Sequence, residues 1–285
     1  MTPADVASAV QFACLLEVAA PKPGNVSPGR AFGDMRYEDF LASAAAIGPA
    51  FLAADRRTLG ATILAAVEAT KRWTAANTNL GLILLLAPLA HGVLRKGDGS
   101  LRDTVRAVLR GTTVDDARIA YQAIRLAAPG GLGAADAQDV AGEPDISLRD
   151  AMVLAAGRDA IASEYATDFS ITFETAAPAL TAALDSGVEW PAAAVETSLT
   201  ILAHQRDTLI ERKLGRAAAD AVSREAAEVL ASGGVRTAGG RKQLEQFDAG
   251  LRDGGNRRNP GTTADLTAAA LFVVIIERGI RVSQG

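Results

Sequence analysis

The chain has 285 residues, 49% of them hydrophobic and 5% aromatic, with a formal net charge of −4 and a pI of about 5.4. That length supplies a full hydrophobic core, and the acidic balance excludes a general nucleic-acid binder, which needs a basic excess. A single cysteine, Cys14, excludes an intramolecular disulfide and agrees with a cytoplasmic setting.

Alanine and leucine dominate the apolar set, which favours helices over strands. The first helix is expected over 3–19. Its VQFACLLEVAA run makes Cys14 core filler, and its acids, with no basic segment ahead of them, argue against a signal peptide. Helices follow over 37–53, 58–72 and 78–94, the last behind Asn77-Thr78, a good N-cap pair. Two shorter ones are expected over 101–110 and 113–127, the second with Asp115 and Asp116 in its first turn, where the helix dipole favours acids. Ser147 and Asp150 open a long helix over 147–166. FSITF, 169–173, reads as a short extended connector, and further helices cover 174–185, 191–203, 216–231, 240–250 and 263–278. The expected fold is all-α: a single multi-helix bundle domain over 1–285, with two very apolar central helices and Gly-rich loops forming the site. The apolar runs LGLILLLAPLA and LTAAALFVVII fall short of the ~20 residues that span a bilayer, so no membrane is expected as a partner. They suit a monomer core or a homodimer interface equally.

The connections carry the chemistry. PKPGNVSPGRAFGDM (21–35), AANTNLG (75–81), PGGLGAADAQDV (129–140) and GGNRRNPGTTADL (254–266) are rich in Gly, Pro, Asn and Arg, and RDTLIERKLG (206–215) mixes acids with bases. Glycines let backbone approach a ligand, and helix N-termini attract anions. Two histidines and one cysteine cannot build a usual zinc site, and no Walker P-loop or G-x-S-x-G elbow occurs. His91 reads as structural or as a helix C-terminal cap, and His204 as a surface residue. What remains is carboxylates, amides, hydroxyls and arginines, an inventory suited to Mg²⁺ and phosphate. Asp34, Asp136, Asp139, Asp159, Asp207 and Asp265 are the candidate acids. Each also has a plain structural reading, as a turn former, a surface ion-pair partner or a first-turn helix acid.

The motifs EVAAPKPGNVSPGRAFGDM, NTNLG, GGLGAADAQDV, RDAIASEYATDF, DTLIERKLG and NPGTTADLTAAALF, in that order over nearly the whole chain, resemble the triphosphoribosyl-dephospho-CoA synthase family. The resemblance implies an all-helical pentosyltransferase enzyme acting on ATP and 3′-dephospho-CoA. The 2′-hydroxyl of dephospho-CoA would attack C1′ of the ATP ribose, adenine would leave, and the triphosphate would stay on the transferred sugar. Mg²⁺ would be held by Asp139, Asp265 and Asp34, with Asp159 as general base and Asp34 beside it in the catalytic set. Substrate and phosphate would be gripped by Lys22, Gly24, Asn25, Asn77, Asn79, Asp207, Arg212, Lys213, Arg257, Arg258, Gly261 and Thr262.

This sequence departs from the family's usual pattern at two loops. Asn77-Thr78-Asn79-Leu80-Gly81 stands where Asn-Thr-His-Lys-Gly is typical, and Asn25-Val26-Ser27 follows Pro21-Lys22-Pro23-Gly24 where Leu-Val-Asp is typical. One base and one acid are gone from loops expected to touch substrate. Two alternatives therefore stand beside the family reaction. One is phosphoribosyl transfer, from ATP or phosphoribosyl pyrophosphate, to a hydroxyl of another cofactor precursor such as a pterin-type coenzyme. The other is a nucleotide-binding protein without catalysis.

Overall fold

The computed structural model describes residues 1–95, 99–129, 137–252 and 256–278. Among these it is all-helical, with fourteen α-helices and no strand beyond one isolated Ser27–Arg30 bridge. The described contacts gather into two compact units, one of Met1–Cys14 with Glu38–Ser170 and one of Leu15–Tyr37 with Ile171–Gly285.

Helix α1, Pro3–Ala19, contributes its first part to the first unit, which continues with α2 (Tyr37–Leu52), α3 (Leu59–Lys71), α4 (Leu80–Leu94), α5 (Leu101–Arg110), α6 (Val114–Ala127), α7 (Leu148–Ala155) and α8 (Ala160–Ala166). Helix α4 is apolar on every side and packs against α3, α5 and α8, burying Leu82 through Ala90 without a break. It carries an internal proline, Pro88, which cannot donate to the carbonyl of Leu84 four residues back. The buried Tyr165 hydroxyl donates to that carbonyl instead, at 2.7 Å. Helix α2 repeats the device. Pro49 orphans the Ala45 carbonyl, and Gln11 Nε2 supplies the missing hydrogen bond at 3.0 Å. Asp116, on α6, ties two helix starts together. Its Oδ1 accepts from Gly60 N at 2.8 Å and its Oδ2 from the Thr113 N and Oγ1 at 3.0 and 2.9 Å. A Cβ on Gly60 would lie 2.7 Å from the Asp116 carbonyl oxygen, so only glycine permits that approach.

The second unit holds α9 (Ala177–Asp185), α10 (Trp190–His204), α11 (Thr208–Leu214), α12 (Arg216–Ala231), α13 (Ala238–Leu251) and α14 (Gly261–Arg278). Leu199, Leu202, Ile210, Val222, Val229, Phe247 and Leu251 meet in one cluster between α10, α11, α12 and α13. Helix α14 packs on α9, α10 and α11 and buries Leu266 through Val274.

Three expectations from the sequence are corrected. The helix over 147–166 is two helices, because Gly157 interrupts it and Asp159 caps a new start, its Oδ1 accepting from Ile161 N and Ala162 N at 2.9 and 3.1 Å. FSITF is not extended. Asp168 and Phe169 take the left-handed conformation, with φ of 53° and 61°, and the chain then makes a π-helical turn over Ile171–Ala176. Burial of Phe169 beside Tyr165 holds this strained pair in place. Finally, 206–215 is not a connector, because Thr208–Leu214 is a helix capped by Asp207.

Candidate functional site

Within the second unit, the segment after α1 is fixed by ionic groups. Lys22 is wholly buried, and its Nζ meets the Glu17 carboxylate at 2.8 Å while also donating to the Glu17 and Ala20 carbonyls. A buried ammonium needs all of these partners to offset its lost hydration. The sequence placed Lys22 on substrate; the structure commits its donors to the protein. Two residues on, Gly24 takes a φ of +69°, and its N–H donates to Asp248 Oδ1 at 2.7 Å. A Cβ there would sit 2.9 Å from both Leu251 and Pro260. Asp248 also accepts from Arg252 at 3.0 Å and from Arg30. Asn25 follows. Its N–H donates to Lys22 O at 3.2 Å, its carbonyl accepts from Arg252 Nη2 at 2.7 Å, and its Nδ2 donates to Asn259 Oδ1 at 2.7 Å and to Pro260 O at 3.5 Å. Ser27 and Arg30 then close a two-residue turn over Pro28-Gly29, with paired backbone bonds of 3.0 and 2.8 Å.

Asn259 and Pro260 lead into α14, so this loop is tied to the entrance of that helix. Asp207 ties the same entrance to α11. Its Oδ1 accepts from Leu209 N and Ile210 N at 2.9 and 3.1 Å, and its Oδ2 from the Thr263 N and Oγ1 at 2.8 and 2.9 Å. Thr208 and Thr262 hydroxyls add a bond of 3.2 Å between the two helices. Burial pushes the Asp207 carboxyl above its ordinary range, and the four donated bonds oppose that shift. Lys22, Gly24, Asn25, Asp207, Gly261 and Thr262 thus belong to one connected network. Both Asp207 oxygens are occupied by protein donors, so this acid holds backbone where the sequence had it meet phosphate.

The other basic candidates of this unit divide. Arg258 donates to the Glu225 carboxylate at 3.1 and 3.2 Å and to Gly250 O at 2.9 Å, whereas Arg257 is exposed. Arg212, half-buried, and Lys213, exposed, lie in the last turn of α11. Asp34 is exposed in the loop before α2. Asp265 is half-buried and falls in the second turn of α14, because that helix starts at Gly261 and not at 263.

In the first unit, the loop before α4 is closed by amides and hydroxyls with one carboxylate, Asp39. Asn77 Oδ1 accepts from Leu80 N at 3.2 Å, and Asn79 Nδ2 donates to Thr70 Oγ1 at 3.0 Å. Thr74 Oγ1 donates to Asp39 Oδ1 at 2.9 Å, and the Thr78 hydroxyl bonds Ser43. Asp139 Oδ1 accepts from Ala141 N at 2.8 Å, and Asp159 caps α8 as described. His91, in the last turn of α4, lies 3.0 Å from Thr62 Oγ1, and burial lowers its pKa. His204 is exposed. Asp136 and the first glycines of the 254–266 stretch lie outside the described residues. Among the described residues, no three His, Cys, Asp or Glu side chains gather as a metal site, and no helix is long and apolar enough to cross a membrane.

Several residues that build this region were not singled out from sequence: Glu17, Arg30, Asp248, Arg252 and Asn259. Two had a signal. Glu17 is the lone acid in an otherwise apolar stretch five residues before Lys22, and Asp248 precedes Arg252 at the i,i+4 spacing of a helical ion pair.

Comparison with known proteins bears on the whole chain. A curated 2-(5''-triphosphoribosyl)-3'-dephosphocoenzyme-A synthase from Klebsiella pneumoniae is 28% identical over 296 residues, covering 96% of this chain and 92% of the relative. A second protein of that name from the same organism is 34% identical over 87 residues, 30% of each chain. A crystal structure from Archaeoglobus fulgidus, provisionally assigned as a triphosphoribosyl-dephospho-CoA synthase, superposes with a TM-score of 0.65 at 32% identity, covering 84% of this chain and all of that one. The model of the CitG family, ATP:dephospho-CoA triphosphoribosyl transferase, matches residues 3–283. The ordered loops, the all-helical fold and a family match of that extent agree, and the chain belongs to the ATP:dephospho-CoA triphosphoribosyl transferase family of enzymes.

Proposed function

We propose that the protein transfers the triphosphoribosyl group of ATP to the 2′-hydroxyl of 3′-dephospho-CoA and releases adenine, in a Mg²⁺-dependent reaction. The observation that carries this reading is the family match over residues 3–283. The hydroxyl oxygen forms a bond to C1′ of the ATP ribose as the C1′–N9 bond breaks. The bonding pair leaves with adenine, which takes up a proton, and the hydroxyl proton passes to a general base. No P–O bond breaks. The transition state has oxocarbenium character, which carboxylates stabilise.

Asp159 is the proposed base. It also caps α8, so Asp159→Asn separates the two roles: Asn caps a helix about as well as Asp, but it cannot take a proton. Removing a base costs about 10²–10⁴-fold in turnover. Asp265 and Asp34, both in the second unit, would hold Mg²⁺, which would neutralise charge on the triphosphate. Mg²⁺ takes one or two carboxylates together with substrate phosphates, and the half-buried Asp265 fits a cation that arrives with its nucleotide. Asp265→Asn keeps the shape and removes the charge. Its expected result is loss of Mg²⁺-dependent turnover with little change in folding.

The test incubates the protein with Mg²⁺, ATP and dephospho-CoA and detects free adenine by chromatography. Adenine that appears only when both substrates are present supports the proposal. ATP binding without adenine release would replace it with transfer from phosphoribosyl pyrophosphate, or to another hydroxyl acceptor.

A further inference from the structure

Asp248 gathers more positive charge than it can neutralise. It is buried, 8% exposed, and its carboxylate takes two guanidiniums: Arg252 reaches it with Nε and Nη2 at 3.0 Å, and Arg30 with Nη1. The Gly24 N–H adds a third donor group at 2.7 Å. Among the described residues neither arginine has another ion pair, so the three side chains together hold one net positive charge. The two arginines are placed differently. Arg252 is mostly enclosed, and its Nη2 is also spent on the Asn25 carbonyl at 2.7 Å. Arg30 stands on the exposed Pro28-Gly29-Arg30 turn, with its side chain 46% exposed. Its Nη1 faces Asp248, and no described residue accepts from its Nε or Nη2. That Nε–Nη2 edge is one with which a guanidinium grips an anion through two parallel bonds. Space is open beside it, because a Cβ on the neighbouring Gly29 would meet nothing within 4 Å.

A surface arginine kept only for solvation needs no such arrangement. Holding a long side chain in one orientation costs rotamer freedom, and a half-exposed ion pair returns little for it. Here Asp248 on α13, 218 residues away along the chain, fixes Arg30, while the left-handed Gly24 brings the loop against the same carboxylate. The charge left over, on a fixed fork with one edge open, is complementary to an anion with several oxygens. We propose that Arg30 binds phosphate, pre-set by Asp248 and Arg252 so that its open edge receives the phosphate oxygens of a substrate. Two sources share this chemistry, the triphosphate of ATP and the diphosphate of dephospho-CoA. The assignment rests on the proposed reaction. It moves the phosphate grip of this loop from Lys22, whose donors are spent on Glu17 and Ala20, to Arg30.

The experiment measures binding of Mg²⁺–ATP and of dephospho-CoA by calorimetry at several salt concentrations. Wild type, Arg30→Gln, Arg30→Lys and Arg241→Gln are compared, each checked for folding by its thermal melt. Arg241 is an exposed arginine on α13, so its variant makes the same change in net charge away from the turn. Arg30→Gln is expected to bind at least one of the two ligands about tenfold more weakly, the scale of a charge-assisted hydrogen bond. Its affinity for that ligand should also fall less steeply as salt is added, because one ionic contact is gone. The ligand with the larger loss names the source of the phosphate. Arg30→Lys keeps the charge but not the fork, and is expected to keep the wild-type salt dependence with an intermediate affinity. An arginine that only braced its loop would lower the melting temperature and leave the salt dependence alone. The inference is overturned, and the proposed reaction left standing, if the Arg30 variants bind both ligands within twofold of wild type while wild type still releases adenine. It is also overturned if Arg30→Gln weakens binding with an unchanged salt dependence, or if Arg241→Gln loses as much as Arg30→Gln. Wild type binding neither ligand overturns the proposed reaction and this inference together.

Discussion

Each unit joins two helix N-termini through one aspartate, and the two joints differ in a way that matters. Asp116 sits in the first turn of its own helix. It reaches back to Thr113 with one oxygen and across to Gly60, at the start of α3, with the other. Asp207 sits at the cap position, reaches forward to Leu209 and Ile210 with one oxygen, and across to Thr263 of α14 with the other. The donors and distances are nearly the same. The balance of forces is not. At Asp116, burial raises the pKa but is outweighed by hydrogen bonds from Gly60 and Thr113, so the net shift is downward. At Asp207, burial wins and the net shift is upward. The same geometry therefore stores charge cheaply in one unit and at a cost in the other. The costly joint is the one that fixes the candidate site.

Breaking the joints tests this ranking. Asp207→Ala strips four donors of their acceptor in a sealed setting, and should lower stability by about 3 kcal/mol or more in urea unfolding. Asp116→Ala removes three bonds nearer the surface and should cost about 1–3 kcal/mol by the same measurement. A loss at Asp116 as large as at Asp207 would mean that burial is not what separates them. Thr263→Val deletes one hydroxyl donor while leaving the carboxylate in place, and should cost about 1 kcal/mol; Thr113→Val also removes the N-cap acceptor of α6, and should cost about 1–2 kcal/mol.

The pH dependence sharpens the comparison further. A carboxyl with a lowered folded pKa stabilises the protein above its ordinary range, and that contribution is lost as pH falls through the folded value. The stability gap between wild type and Asp116→Asn should therefore shrink on acidification. A carboxyl with a raised folded pKa behaves oppositely, contributing most below its ordinary value and less as pH rises through the folded one. The gap for Asp207→Asn should shrink as pH rises. If the two gaps move in the same direction, the four donors around Asp207 outweigh its burial.

These joints also mark what a single sequence reveals. The Thr113-to-Asp116 spacing is a local signal, and placing acids in that first turn was enough to start the helix correctly. Asp207 has only half such a neighbourhood, its cap bonds to Leu209 and Ile210. Its partner Thr263 is 56 residues away, and a carboxylate in a stretch with Arg206, Arg212 and Lys213 looks from sequence like a ligand for something charged. Lys22 misleads in the same way, because its partner Glu17 hides in an apolar helix. Helix positions were legible because the apolar spacing is local. The exceptions were the break at Gly157, the left-handed pair Asp168-Phe169 and the short α11, where a cap or a tertiary contact overrides the pattern. The family was legible because it rests on many loops in order. The division of labour within those loops was not, since it depends on which polar atoms find partners after folding.

The two internal prolines carry a consequence for how the first unit assembles. Pro49 and Pro88 each leave a gap in the backbone ladder of a helix, one on an exposed turn of α2 and one in the buried α4, and a side chain from elsewhere in the chain, Gln11 or Tyr165, closes each. Neither helix is complete on its own, and an isolated peptide of α4 would meet its own unsatisfied carbonyl before it met a neighbour. Secondary structure and docking must then arrive together. Amide protons around the buried Leu84 should exchange with solvent only when the unit opens as a whole, so this proline, which weakens its helix taken singly, makes the unit cooperative.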